Sequence, residues 1–304
     1  MLKEQNSIHN KKSGALMNKL QEKIPQSHRV EIRSPKNLKR KRKSVFKPLI
    51  LAFVAAIILC VLLSDTSDKK GIFDNQSKIE YRNEAKEERY ASYRKENPHL
   101  SEEEIVWHVN ANLDKPKYEY DIPVSGYDDP YIIVNKYYKV PEDYRPHDLK
   151  RFDGQLLRVE TGNAYMKMRD DALKEGLNIH VVSGYRSVEY QEGLYNRYLS
   201  SDSRENVDRY SARPGYSEHH TGMAMDVFGS QDGLRNFENT PEYSWVKENC
   251  YKYGFIIRYL AETEDITGYE AEPWHLGYVG VKVSTEMKEK NIKSFEEYCA
   301  KYLQ

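Results

Sequence analysis

The sequence predicts an α+β fold: a small, mostly antiparallel sheet flanked by helices, preceded by one membrane-spanning helix. Three observations predict it. Apolar residues recur at helical spacing in some segments and alternate singly in others. Those segments do not follow the regular strand–helix–strand order of a parallel sheet. An uncharged apolar run also lies near the N-terminus.

Lys plus Arg and Asp plus Glu each number 47 in the 304 residues, so the net charge is zero. The balance is uneven. The first 44 residues are rich in Lys and Arg, ending in Lys39-Arg40-Lys41-Arg42-Lys43, and the remainder is net acidic. A basic run can bind nucleic acid, but its place beside an apolar segment favours a topological role. Pro48 to Leu63 carries no charge. With Val45, Phe46 and a snorkelling Lys47 it reaches about 19 residues, near the ~20 that cross a bilayer. The positive flank places residues 1–44 in the cytoplasm as a basic tail, 45–64 in the membrane as a single-pass anchor, and the rest outside the cell. A cleaved signal peptide fits poorly, because the n-region is too long and no Ala-x-Ala-like site follows Leu63. The membrane is thus an expected partner and nucleic acid is not; oligomeric state is not written in the sequence.

Residues 65–117 are polar and charged and are expected to form an extracellular stalk with short helices. Ser101-Glu102-Glu103-Glu104 is a capping-box pattern that opens one of them, through about Asn112. Pro116, Pro123 and Pro130 punctuate an extended stretch, and the globular part is taken as 118–304.

Within that part, Leu157, Ala164, Met168 and Ala172 predict a helix from about Leu157 to Glu175, stopped by Gly176. Leu177, Ile179 and Val181 alternate with polar neighbours, as in a half-buried strand. Ser187 caps a second helix carrying Gln191. Thr240-Pro241 starts a third, which ends before Gly254. Phe255-Ile256-Ile257 is the next strand, and Ser294 caps a final helix. Cys250 and Cys299 lie in helical segments; a disulfide and two buried thiols both fit an external compartment.

The chemistry concentrates in two short stretches. Ser217 to Asp226 holds His219 and Asp226, and Glu272-Pro273-Trp274-His275 holds the rest. Two imidazoles and one carboxylate form a donor set that binds Zn2+ and leaves a coordination position for water. Glu272, close to the last donor, is placed to act as general base. His219 and Asp226 are seven positions apart, so one flat strand would point them to opposite faces. Gly215 and Gly222 offer places to bend. Pro273 argues against a regular ladder and predicts a turn or loop between Glu272 and His275. His220, His180, His147 and His108 are read as ordinary core or surface histidines.

Arg186 ends the strand that begins at Leu177, where a guanidinium can meet a substrate carboxylate or a developing oxyanion. Gln191, one turn into the next helix, can reach the same cleft. Other hydrolase signatures are missing: there is no HExxH and no GxSxG, and the SxxK matches at Ser44 and Ser67 flank the membrane segment, with no KTG in the sequence.

Ser183-Gly184-Tyr185-Arg186-Ser187, then Ser211 to Val227, Gly254 to Tyr259, Ile266 to His275 and Tyr278-Val279-Gly280 resemble the VanY-type D-alanyl-D-alanine carboxypeptidases. The LdcB-type LD-carboxypeptidases are related, and both belong to the M15 zinc peptidases. The resemblance covers about residues 100–304. It implies that His219, Asp226 and His275 hold zinc, that Glu272 is the catalytic acid/base, and that Arg186 stabilises the transition state or a bound carboxylate. Ser217, Gln191 and Tyr185 are then candidates for holding substrate. The implied activity is removal of the C-terminal D-alanine from peptidoglycan stem peptides outside the membrane. The alternatives are an LD-carboxypeptidase or endopeptidase on the same peptides, or a silent zinc module that only binds the wall. Two departures bear on specificity: residues 261–265 are acidic where relatives often carry a basic residue, and Gly277 stands where many have Arg.

Overall fold

The structure is a computed structural model that describes residues 79–119, 122–123, 132–229 and 234–303. The expected basic tail, membrane anchor and first part of the stalk lie outside these residues. Among the described residues, no helix is long and apolar enough to cross a membrane.

The capping box does open a helix. Glu87–Glu96 (α1) is followed by Glu102–Asn110 (α2), and at the start of α2 the Ser101 N–H donates to the Glu104 carboxylate at 2.7 Å while the Glu104 N–H donates to Ser101 Oγ. The short helices expected before residue 117 are therefore present, and each buries one face. Tyr90 packs on Ile105, Val106 and Val109, and Trp107 and Ala111 meet Ala300 near the C-terminus. Lys301 closes the contact on Glu103 at 2.8 Å. A charged composition had concealed one apolar stripe, which buries itself against the C-terminal helix.

A two-residue parallel pair, Ile122–Pro123 (β1) with Tyr138–Lys139 (β2), precedes a hairpin of Leu149–Phe152 (β3) and Gln155–Arg158 (β4). Asp153 and Gly154, both at positive φ, make its turn, the backbone such two-residue loops require. Leu157 therefore lies in a strand, paired with Lys150, and the helix expected from that residue begins at Val159. Cross-strand pairing outweighs the helical spacing of Leu157. The helix, Val159–Lys174 (α3), buries Tyr165, Met168 and Ala172, and Gly176 follows it at φ 78°.

The rest runs His180–Ser183 (β5), Val188–Leu199 (α4), Arg204–Tyr210 (α5), Ala224–Phe228 (β6), Pro241–Asn249 (α6), Phe255–Tyr259 (β7), Glu264–Thr267 (α7), Glu272–Tyr278 (β8), Gly280–Glu289 (α8) and Phe295–Tyr302 (α9). Ser187, Thr240 and Ser294 each accept a backbone N–H as N-caps, as expected. Helices α5 and α8 were not expected. Both are short, and much of their surface is polar. Cys250 and Cys299 are free thiols, the first buried.

Strands β5, β6, β8 and β7 form one four-stranded antiparallel sheet in that order. Val181, Met225, Val227, Leu276 and Phe255 join Met168 of α3 and Trp245 of α6 in the main core. Strand alternation then turns Asp226 to the opposite face from Met225 and Val227. In the register Ser183 pairs with Asp226 and Asp226 with His275, so one row of three side chains crosses the sheet.

The turn expected around Pro273 is instead a bulged strand. Ile257 pairs with Leu276 but Tyr259 with Glu272, so β8 carries two extra residues between these points. Pro273 falls inside that irregularity, and pairing with β6 begins only at His275, so no ladder hydrogen bond needs its missing N–H.

Candidate metal centre

His219 sits on a 3₁₀ turn, Glu218–Thr221, that ends at Gly222 in the left-handed conformation, φ 66°. This residue turns the chain into β6 and brings His219 over Asp226. A Cβ at Gly222 would lie 2.8 Å from Leu149 Cδ2 and 3.1 Å from Arg158 Cγ, so both conformation and space demand glycine. The bulge in β8 does the equivalent for Glu272. Three residues apart in a regular strand, Glu272 and His275 would face opposite sides, yet Glu272 Oε2 lies 3.6 Å from His275 Nδ1.

His219, Asp226 and His275 are 3–5% exposed, and their donor atoms all lie within 4.8 Å of one another. Asp226 Oδ1 is 3.4 Å from His219 Nε2 and 3.3 Å from His275 Nδ1. Two ligands at ~2.0–2.1 Å from one tetrahedral ion are about 3.4 Å apart, so these are ligand-to-ligand edges of the right length. The same Asp226 oxygen is buried with no hydrogen-bond donor of its own. Such an orphan acceptor is costly without a cation. The far ring nitrogens are engaged as metal-bound imidazoles require: His219 Nδ1–H donates to the Gly184 carbonyl at 2.8 Å, and His275 Nε2–H to Glu218 Oε2 at 3.2 Å. His219 Nε2 and His275 Nδ1 are left facing Asp226.

The electrostatics agree with a cation site. Burial and the nearby Arg186 push His219 down to about 4. Burial also opposes a charge on His275, but the Asp226 and Glu218 carboxylates hold it up to about 9. Glu272 is raised to about 8, chiefly by burial, with the Asp226 carboxylate adding to it. A cleft of about 820 Å³ opens over these groups.

Of the other expected site residues, Arg186, Gln191 and Ser217 line this cleft. Arg186 Nη2 donates to Asp226 Oδ2 at 2.7 Å, and its Nε and Nη2 both donate to Ser183 Oγ. Gln191 is buried, donates to the Ala212 carbonyl at 2.9 Å, and accepts from Arg186 Nη1 at 3.4 Å. Tyr185 does not line the cleft. Consecutive residues of an extended chain point to opposite sides, and Arg186 takes the inner one; the Tyr185 ring lies 5.9 Å from the Arg145 guanidinium instead. None of residues 261–265 is in the cleft wall, so that acidic stretch does not meet the metal site.

Three residues had no sequence signal as site members. His220, read as an ordinary histidine, accepts from the Gly215 N–H through Nε2 and donates from Nδ1 to the Arg186 carbonyl at 2.7 Å, which anchors the arginine's backbone. Tyr259 packs its ring, tilted by 49°, 4.8 Å from that of His275. Glu218 is hidden in plain view beside His219. No spacing rule marks it, because its partner His275 is 57 residues away.

A buried His/Asp/His set with a carboxylate against it is a donor arrangement that mononuclear metal-dependent hydrolases use. Residues 154–281 match the family described as VanY: D-alanyl-D-alanine carboxypeptidase. YodJ of Bacillus subtilis is 39% identical over 182 residues, 56% of this chain and 66% of that protein. A D-alanyl-D-alanine carboxypeptidase of Enterococcus faecium is 40% identical over 140 residues, 46% of this chain and 42% of that protein. The chain thus spans less than two thirds of the length of these two relatives. The structure of an LdcB LD-carboxypeptidase superposes with a TM-score of 0.53 at 38% identity, covering 57% of this chain and 87% of that one. The chain belongs to the VanY family of M15 peptidases, and its α+β fold with a small antiparallel sheet is the fold it shares with LdcB.

Proposed function

We propose that this protein is a zinc D-alanyl-D-alanine carboxypeptidase that removes the C-terminal D-alanine from peptidoglycan stem peptides. Residues 45–64 anchor it in the membrane, residues 1–44 remain in the cytoplasm, and the catalytic part lies outside, where the substrate is. The observation that carries the reading is the placement of Glu272 3.6 Å from His275 Nδ1, beside three buried donors that suit one divalent ion.

Bound at His219, Asp226 and His275, zinc would supply a water with pKa lowered towards ~7 and a Lewis acid for the scissile carbonyl. Glu272 takes the proton from the attacking water and passes it to the leaving amine. Its raised pKa suits a group that must both accept and return a proton near neutrality. Arg186 supplies positive charge to the oxyanion or to the substrate's terminal carboxylate. Gln191 holds Arg186 in place, and Ser217 offers a hydroxyl in the same wall. The lack of any role for Glu272 in mere binding argues against a silent zinc module.

An LD-carboxypeptidase acting on tetrapeptides is the second reading, favoured by the 38% identity to LdcB, close to the 40% shared with the E. faecium enzyme. Matched stem peptides ending in D-Ala-D-Ala or in a single D-Ala separate the two. We expect mass spectrometry to show loss of one residue from the first, abolished by chelator and restored by zinc. Release only from the tetrapeptide would move the assignment to the LD class, and release from neither would refute both.

A further inference from the structure

Glu218 is the first member of a longer buried chain of charges. Its Oε1 accepts from Arg258 Nε at 2.6 Å. The other edge of that guanidinium is bidentate on Glu296, with Nη1 to Oε2 at 2.9 Å and Nη2 to Oε1 at 2.6 Å. Asn135 donates to Glu296 Oε1 at 2.9 Å. Arg258 and Glu296 are each 1% exposed. The three members come from three elements: the turn that carries His219, the edge strand β7, and the first turn of α9. Gly277 lies beside them. A Cβ there would lie 3.6 Å from Glu218 Oε2 and 3.7 Å from Arg258 Cδ, in ordinary van der Waals contact.

The charges in this chain do not cancel. Two carboxylates flank one guanidinium, leaving one negative charge for the group at their open end to balance. Asp226 and Arg186 pair with each other and do not relieve it. The group that touches the open end is His275, through Nε2. A purely structural bridge has no need of this excess, since well-packed apolar side chains commonly replace buried ion pairs without loss. A carboxylate against the far nitrogen of a metal-bound imidazole, by contrast, fixes the ring and raises its basicity.

We propose that Glu218, Arg258 and Glu296 are positioning residues for the metal. Together they hold His275 as an Nδ1 ligand, supply the negative charge that a divalent ion completes, and make metal affinity depend on the seating of α9. This rests on the metal-binding part of the function proposed above.

The test uses metal-free full chain, with zinc affinity read by competition against a chromophoric chelator. Thermal midpoints of the metal-free form and the visible spectrum of the Co2+ form are recorded alongside. Glu218→Gln should bind zinc ten- to a hundred-fold more weakly and shift the Co2+ bands. Glu296→Gln, which touches no ligand, should lose several-fold in affinity. The double variant should be no weaker than Glu218→Gln alone, because both act through one path. Tyr165→Phe, which removes a hydroxyl bonded to Asp153 in the main core, controls for general destabilisation. Wild-type zinc affinity in either relay variant would overturn the proposal, as would an equal affinity loss in Tyr165→Phe at a matched thermal midpoint. If the wild-type chain itself binds no zinc, the metal reading and the relay fall together; if it binds and the variants match it, only the relay does.

Discussion

Asp226 and His275 are direct partners across β6 and β8, and their facing atoms, Oδ1 and Nδ1, are 3.3 Å apart. The antiparallel register fixes this distance, with Ser183 completing the row on β5. The third donor, His219, is added from outside the sheet by a turn that depends on Gly222. The centre is therefore built on rigid strands on one side and a conformationally demanding glycine on the other. Its sensitivity to substitution follows from that division.

Replacing Gly222 by Val should destabilise the protein by about 1–3 kcal/mol, from a left-handed backbone forced on a β-branched residue. The clash with Leu149 and Arg158 would add to this and move His219 away from Asp226. Denaturant unfolding together with zinc titration checks it; unchanged zinc affinity would separate the turn from the site.

Glu272→Gln keeps the size of the side chain and removes its basicity. Zinc content should stay at the wild-type level while turnover falls by about 10²–10⁴, the usual contribution of a positioned general acid–base. Metal analysis beside D-alanine release measures both, and a variant that cleaves like wild type would exclude Glu272 as the base.

The metal-free site should contribute less stability as pH rises from 7 to 9. His275 is raised from 6.5 to about 9 and Glu272 from 4.5 to about 8. Over this window the folded chain keeps protons that the unfolded chain has released, so raising pH favours unfolding. His219, lowered to about 4, matters only below about pH 6.5, whereas Lys136, lowered to about 7 by burial, works the other way in both forms. Zinc displaces the proton from His275, so the zinc form should show a shallower dependence. Thermal midpoints across the range, with and without zinc, decide it; a metal-free midpoint that falls no more steeply than that of the zinc form would contradict the assigned protonation.

Trp107→Ala should cost about 3–5 kcal/mol, because a large buried side chain leaves a void between α2 and α9. A change within about 0.5 kcal/mol would mean that α1 and α2 are only loosely attached.

Much of the frame was legible in the chain. Caps at Ser101, Ser187, Thr240 and Ser294 mark helix starts because a side-chain oxygen satisfies a backbone N–H within three residues, a purely local interaction. The donor set was legible too, since few arrangements other than metal binding call for those residue types in so small a span. What escaped was decided by contacts distant in sequence. Leu157 went to a strand because Lys150 pairs with it. Pro273 was accommodated by a bulge visible only against β7. The charged segment before residue 117 turned out to have a partner in α9.

By itself, then, the sequence determined the chemistry: which side chains can bind an ion, which glycines must bend the chain, and where the helices begin. Only the tertiary structure decided which nitrogen of each imidazole faces Asp226, that Tyr185 turns away, and that Glu218, Arg258 and Glu296 stand behind His275. The physical reason is that residue type is a local property, whereas ring orientation and buried charge balance depend on neighbours supplied by other strands and helices.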